Sequence, residues 1–134
     1  MGKGDPEKAQ TERKKKAGGV SYRFTKDERI RNKNDFIRVY AGGGKYVCPE
    51  FIGFYLKTEN ELSRLGMSVG KRIGRSVVRN RVKRMIREIF RLHKHMLKPG
   101  YDIVINPRKG NSKYAELERE MLGFFASAGL MEEP

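Results

Sequence analysis

The longest helical pattern in the chain lies between residues 76 and 97. Its apolar positions repeat mostly at steps of three and four, which places them on one stripe of a helix. They are Val78, Val82, Met85, Ile86, Ile89 and Met96. Pro99 and Gly100 follow the pattern and are typical of a helix stop. The pattern predicts one long amphipathic helix that buries this stripe against the rest of the protein.

A shorter helix is predicted earlier in the chain by the residues at its ends. Asn32 is a favourable N-cap, and Asp35 places a negative charge near the positive start of the helix. Three consecutive glycines, at positions 42 to 44, end it. Phe36 and Tyr40 are four residues apart, so they share one face of this helix.

A third helix is predicted near the end of the chain. Asn111 or Ser112 can cap it, and Gly129 ends it. Its apolar stripe has a helical period. The stripe consists of Tyr114, Leu117, Met121, Phe124 and Phe125.

Strands are predicted between the helices. Residues 46 to 57 are rich in aromatic and apolar side chains and predict one strand interrupted at Pro49, or two strands. Residues 65 to 69 alternate large and small side chains, and residues 101 to 106 form a short apolar strand closed by Pro107. Strands and helices in this order indicate an α+β fold with helices packed on a small sheet.

Composition adds a polyanionic partner to this picture. The 134 residues include 30 Lys and Arg against 16 Asp and Glu, a net charge of +14. Such a charge favours RNA, DNA or an anionic membrane surface. No apolar run approaches the roughly 20 residues that span a bilayer, and no apolar segment of a secretory signal follows the basic N-terminus. We predict a cytoplasmic protein with a flexible basic arm at residues 1–21 and one RNA-binding domain at residues 22–130.

The positive charge of the long helix is one-sided. Five of its cations recur every four residues and predict a second stripe, opposite the apolar one. They are Arg75, Arg79, Lys83, Arg87 and Arg91. Asn80 and Arg84 fall on the same outer arc and Arg81 at its border, whereas Glu88 is the only acid between residues 71 and 97. Because like charges four residues apart repel each other, this pattern implies a partner that neutralises them.

An aromatic groove is a second candidate surface. Phe36 and Tyr40 on the first helix could line it together with Phe51 or Phe54 on the strand, and exposed rings there could stack unpaired bases. The alternative is that these rings belong to the core. Strand alternation points Phe51 and Tyr55 one way, and Ile52 and Phe54 the other, so only one pair can face the groove.

No protein catalytic site is predicted. Cys48 is the only cysteine, so neither an internal disulfide nor a cysteine-rich metal site can form. The chain has no nucleophile with a base at recognisable spacing, no paired-carboxylate pattern and no phosphate-binding glycine loop. A role in catalysis would therefore place this protein beside another catalyst.

Residues 71–87 closely resemble the bacterial ribonuclease P protein subunit. That family's signature is an Arg-Asn-Arg helix preceded by a basic, glycine-containing loop. The signature is matched by Lys71, Arg72, Gly74, Arg79, Asn80, Arg81, Lys83, Arg84 and Arg87. Asp35 and Phe36 with Tyr40 resemble the family's first helix, and the terminal order of strand then helix also agrees. The resemblance covers about residues 23 to 128.

The resemblance implies a two-layer α/β sandwich of about four strands and three helices, related to a ribosomal-protein domain. It also implies a left-handed βαβ crossover, although right-handed crossovers are the strong default. The implied function is that of a cofactor of a catalytic RNA, which removes the 5′ leader of precursor tRNA with Mg²⁺ held mainly by the RNA. The implied partners are ribonuclease P RNA and precursor tRNA, without a membrane or a required protein partner.

Two sets of residues follow from the resemblance by position. The set that contacts the catalytic RNA is Lys71, Arg72, Arg79, Asn80, Arg81, Lys83, Arg84 and Arg87. The set that lines the leader groove is Phe36, Tyr40, Ile52 and Phe54, with no catalytic or metal-binding residue in either set. Family members commonly carry Tyr where Phe54 stands. A ribosomal or RNA-chaperone protein is the alternative, and it explains the charge but not the aromatic groove with the Arg-Asn-Arg spacing.

Overall fold

Three helices and four strands make up the part of the chain that the structure, a computed structural model, describes, residues 23–132. The helices are α1 (Lys33–Gly42), α2 (Ser76–His93) and α3 (Tyr114–Ser127). The strands are β1 (Gly44–Val47), β2 (Phe51–Lys57), β3 (Arg64–Met67) and β4 (Tyr101–Pro107). Short 3-10 turns lie at Lys26–Glu28, Lys71–Ile73 and Lys94–Met96. The predicted basic arm, residues 1–21, lies outside the described residues.

The strands form one mixed sheet in the order β1-β2-β4-β3. β1 pairs with β2 and β2 with β4 in antiparallel fashion, whereas β3 and β4 are parallel neighbours joined through α2. The predicted α+β fold with about four strands and three helices is therefore confirmed. The left hand of the β3-α2-β4 crossover stays a prediction.

One face of the sheet carries the main core. Successive β2 residues point to opposite faces, and Phe51, on this face, is fully buried. α2 and α3 cover the face with the apolar stripes that the sequence predicts, although Phe90 takes a central place that the stripe did not include. The fully buried residues of the core are Phe51, Val82, Ile86, Ile89, Phe90, Ile103, Ile105, Met121, Phe124, Phe125 and Leu130.

The other face is covered only in part, by α1. Val39 of α1 packs there against Val104 of β4 and Ile30, and Phe54 and Leu56 of β2 are half-buried at the margin. This placement refines the predicted two-layer sandwich, because helices lie on both faces of the sheet. The ten residues of α1 are too few to cover the whole face, and its remainder stays open.

The glycine directly after α1 is required because two backbone segments lie very close together there. A Cβ atom at Gly43 would lie 1.8 Å from the carbonyl oxygen of Tyr55, so only glycine fits there. Asn32 is the N-cap of α1 as predicted, since its side chain accepts a hydrogen bond of 2.8 Å from the backbone N–H of Asn34.

Three predicted boundaries are corrected. α2 ends at His93 and continues as a 3-10 turn rather than as an α-helix to residue 97. β3 ends at Met67 rather than at residue 69, because the next N–H, that of Ser68, donates to the Asn106 side chain at 3.0 Å.

The third correction concerns the start of α3. Its N-cap is Lys113, whose backbone N–H donates to Glu116 Oε1 at 3.1 Å, rather than Asn111 or Ser112. Ser112 is buried, and its hydroxyl has no hydrogen-bond partner among the described residues. The residue types before the helix could not predict this start, because the Glu116 side chain, within the helix, accepts a hydrogen bond from the N-cap N–H instead.

Candidate nucleic-acid interface

The cations of α2 do not form a single outward row. An α-helix turns about 100° per residue, so a step of four residues drifts by about 40°. Arg75 is therefore exposed, whereas Arg79, Lys83 and Arg87 turn progressively and are half-buried along the flank of the helix. The predicted stripe is corrected by this finding. Arg79, Lys83 and Arg87 face a neighbouring part of the protein rather than open solvent.

The outward surface of α2 carries Asn80, Arg81 and Arg84, all exposed. The 3-10 turn that precedes the helix adds Lys71 and Arg72, which are also exposed. The turn packs against α2, so the structure places the predicted turn residues beside the predicted helix residues. The apolar side chain of Val77, 67% exposed, lies on the same side of the helix.

Two arginines of the motif hold backbone loops. The Arg79 guanidinium donates to the Gly74 carbonyl at 3.1 Å and to the Ser76 hydroxyl at 3.2 Å. That of Arg81 donates to the carbonyls of Gly110 and Ser112 at 3.2 and 3.1 Å. Because a guanidinium has five N–H donors, each retains donors for a further acceptor. These two residues position the loops at the start of α2 and before α3.

The basic surface on α2 and its preceding turn differs from other charged parts of the described protein in its ion pairing. Within residues 23–132, the predicted RNA-contacting cations have no carboxylate partner, while Glu88 pairs with Arg91 at 2.8 Å. Burial lowers the pKa of the Arg87 guanidinium, and repulsion from the charge of Arg29 lowers it further. The charge of these predicted RNA-contacting cations is therefore uncompensated by the described residues, as expected of a surface that meets a polyanion.

The predicted aromatic groove lies on the partly covered face of the sheet. The rings of Phe36 and Tyr40 on α1 are 6.3 Å apart between centroids, and the ring of Phe54 stands edge-on to Tyr40 at 4.8 Å. Tyr40 is 40% exposed, and Phe36, Ile52 and Phe54 are half-buried. The groove therefore offers ring edges and faces to an external group.

The structure decides which side of β2 faces this groove. Ile52 and Phe54 point toward α1, whereas Phe51 is fully buried in the main core against Phe124, with ring centroids 6.1 Å apart. Phe51 is thereby removed as a groove candidate. Phe36 belongs both to the groove and to the small core beneath α1. It packs against the edge of that core and remains half-buried.

Two groove residues were not predicted from the sequence. Val47 pairs with Ile52 across β1 and β2 and is 56% exposed. Asn106 pairs with Ile52 on β4 and donates from Nδ2 to the Tyr40 hydroxyl oxygen at 3.1 Å. The signal for Asn106 was its position as a polar residue at the end of an otherwise apolar strand.

A metal site built by the protein alone would need several ligating side chains close together. Among residues 23–132, no three His, Cys, Asp or Glu side chains come together. Magnesium prefers carboxylate oxygens. No step is therefore assigned to a metal held by these residues.

None of the described helices has the length and apolar character that crossing a bilayer requires.

Comparisons with known proteins agree with one another. A sequence model of the family Ribonuclease P matches residues 24–129. The Ribonuclease P protein component of Dictyoglomus turgidum is 31% identical over 116 residues, covering 84% of this chain and 98% of that protein. The component from Syntrophus aciditrophicus is 42% identical over 99 residues, covering 72% and 82%. The Staphylococcus aureus RNase P protein structure superposes with a TM-score of 0.72 at 29% identity, covering 78% of this chain and 98% of that one.

Proposed function

The chain belongs to the ribonuclease P protein family, and from that premise we propose that it binds two RNAs on two surfaces. The basic surface of α2 and its preceding turn binds the catalytic RNA of the enzyme. The groove beside α1 binds the single-stranded 5′ leader of precursor tRNA. The RNA, with its bound Mg²⁺, cleaves the leader to make the mature tRNA 5′ end.

The observation that carries this proposal is the separation of the two surfaces. The cations of α2 lie on the side of the sheet that α2 and α3 cover, while the rings of Tyr40 and Phe54 open on the other side. Cations without carboxylate partners suit phosphate groups, and exposed rings suit unpaired bases. One small protein can therefore touch a folded RNA and a single strand at once.

The positive charge gives this arrangement a physical role. A catalytic RNA and a precursor tRNA repel each other, and a chain of net charge +14 placed between them lowers that repulsion. We expect the Mg²⁺ concentration needed for cleavage to fall in consequence, since Mg²⁺ otherwise screens the same repulsion.

A cleavage assay tests the proposal. The protein is mixed with a bacterial ribonuclease P RNA and a precursor tRNA at low Mg²⁺, and the released leader is measured. Stimulation over the RNA alone is expected. No stimulation would favour a ribosomal-type RNA-binding protein instead, and cleavage without the RNA would point to a protein nuclease.

A salt titration tests the RNA-binding surface. Arg84→Ala removes an exposed cation that has no partner in the described protein. Binding to the catalytic RNA should weaken, and the slope of log affinity against log salt should fall by about one. Arg79→Ala should weaken binding too, but it also releases Gly74 and Ser76. Arg119→Ala, an exposed cation on α3, is the control, and an unchanged slope for Arg84→Ala would contradict the assignment.

A further inference from the structure

A cavity of about 220 Å³ opens where the flank of α2 meets the edge of the sheet. Four of the residues that line it are cations, and the others are apolar residues and a glycine. It is lined by Phe24, Arg29, Ile30, Arg31, Leu65, Gly66, Met67, Lys83 and Arg87. No acidic side chain is among the lining residues. Arg29 and Arg31 lie outside the motif on α2.

The segment that carries the two additional arginines is held in place along β3. Arg29 forms a parallel bridge with Leu65, and the Ile30 N–H donates to the Leu65 carbonyl at 2.9 Å. Ile30 is buried on the α1 side. Because alternate residues of extended chain point to opposite sides, Arg29 and Arg31 are directed away from that core and toward the cavity. Arg29 lies 4.7 Å above the centre of the Phe24 ring.

Half-buried cations elsewhere in the described chain show that Lys83 and Arg87 are unusual, whereas Arg29 and Arg31 are exposed. Arg64 is half-buried and pairs with Asp102 at 2.7 Å, and Lys94, also half-buried, pairs with Glu28 at 2.7 Å. Lys83 and Arg87 are similarly half-buried, yet neither has a carboxylate partner among residues 23–132. Placing like charges around a partly desolvated space is unfavourable unless an anion enters it.

The cavity is also small. Its volume lies below the roughly 300–1,000 Å³ that is usual for small-molecule sites. A group that belongs to a larger molecule and projects into the cavity fits it better than a free cofactor does. Arginine forks are well suited to bind phosphate oxygens in a bidentate way.

We infer that this cavity is a phosphate-binding site, and that it receives one backbone phosphate of the catalytic RNA between Arg29 and Arg31 on one side and Lys83 and Arg87 on the other. The inference rests on the proposed function and adds to it a second element, the segment before α1. The catalytic RNA is favoured over the leader because Lys83 and Arg87 share α2 with the exposed Arg84. The leader groove opens toward Val47 and Ile52 of β1 and β2, although its Phe36 lies over Gly66 of β3.

Binding of the catalytic RNA alone, without precursor tRNA, is the first test. Arg29→Gln and Arg31→Gln should each weaken binding by about tenfold. Arg119→Gln removes an exposed cation on α3 and should change it by less than twofold. If Arg84→Gln weakens binding and the two cavity variants do not, the cavity inference fails and the proposed function stands. If Arg84→Gln also has no effect, the proposed RNA surface fails as well.

A double-mutant cycle tests whether the cations share one phosphate. Arg29→Gln combined with Arg87→Gln should weaken binding by much less than the product of the single effects, because both act on the same group. Arg29→Gln combined with Arg84→Gln should multiply, since Arg84 does not line the cavity. Multiplying effects for Arg29 and Arg87 would overturn the shared site. A loss seen only with precursor tRNA would overturn the assignment to the catalytic RNA.

Thermal unfolding of the free protein separates binding from structure. Arg87→Gln should leave the unfolding midpoint unchanged or raise it, because it removes a desolvated charge that Arg29 repels. Lys94→Gln is the matched comparison and should lower the midpoint, since it leaves the buried Glu28 without its ion-pair partner. If Arg87→Gln lowers the midpoint as much as Lys94→Gln does, then Arg87 is a structural residue and the inference is wrong.

Discussion

The two faces of the sheet are formed by the same strands but differ in how completely the helices cover them. One face is sealed by α2 and α3, of 18 and 14 residues, and Phe51 and Phe124 are fully buried there. The other face is covered by α1 alone, of ten residues, and leaves Tyr40 and Val47 at 40% and 56% exposure. The sealed face stabilises the fold, and the open face keeps apolar surface available.

This difference separates stability from binding. Apolar surface that is fully buried contributes its whole transfer free energy to folding. Apolar surface left open contributes less to folding, and its presence indicates a binding site. Substitutions on the sealed face should therefore act on unfolding, and substitutions on the open face on affinity.

The largest effect is expected at the centre of the sealed face. Phe124→Ala should lower the free energy of unfolding by about 3–5 kcal/mol, because its ring packs against those of Tyr46, Phe51 and Phe125 and leaves a cavity when removed. Urea unfolding measures the change. Phe124→Leu keeps most of the volume and should lose less, and a loss under about 1 kcal/mol for Phe124→Ala would remove the contrast between the faces.

A smaller loss is expected from overfilling the same face. A Cβ atom at Gly53 would lie 2.6 Å from the ring of Phe124, so Gly53→Ala should destabilise the fold by about 1–3 kcal/mol. The double variant with Phe124→Leu should be less destabilised than the sum of the two single changes, since the smaller side chain makes room. Additive losses in urea would show that the glycine is needed for another reason.

On the open face, binding should respond before stability. Phe36→Ala should weaken holoenzyme affinity for precursor tRNA by about tenfold, the value of one lost base–ring stack, and affect mature tRNA much less. Its loss of stability should be smaller than that of Phe124→Ala because Phe36 is only half-buried. Equal losses of affinity for both tRNAs would assign Phe36 to the core.

The smallest effect is expected at the groove's hydrogen bond. Tyr40→Phe removes the hydroxyl that accepts from Asn106 at 3.1 Å but keeps the ring. Unfolding should change by no more than about 1 kcal/mol, and the ratio of affinities for precursor and mature tRNA should stay constant. A changed ratio would show that the hydroxyl itself contacts the leader.

Most of the helices and strands could be predicted because they depend on local patterns. The stripe from Val82 to Ile89 needs only helical period, and the cap at Asn32 needs only its neighbours. Boundaries failed where a distant contact intervened. β3 stops at Met67 because Asn106, on another strand, takes the next N–H.

Only part of the candidate site could be predicted from the sequence, and the reason is the same. The Arg-Asn-Arg motif is contiguous, so Arg84 could be named from the sequence and its exposure follows from the helix period. Arg79 and Arg81 were named as RNA contacts, but their bonds to Gly74 and Gly110 show a second role as loop anchors. That role depends on where two loops return to the helix.

The sequence by itself determined the composition of each surface: a helix with an uncompensated basic side, and a strand whose residues alternate between two faces. Only the tertiary structure decided which face of β2 is sealed, because a period of two defines two sides without ranking them. It also brought Arg29 to Arg87, 58 positions later in the chain. Local pattern cannot specify such a meeting, since it depends on how the segment before α1 lies along the edge of the sheet.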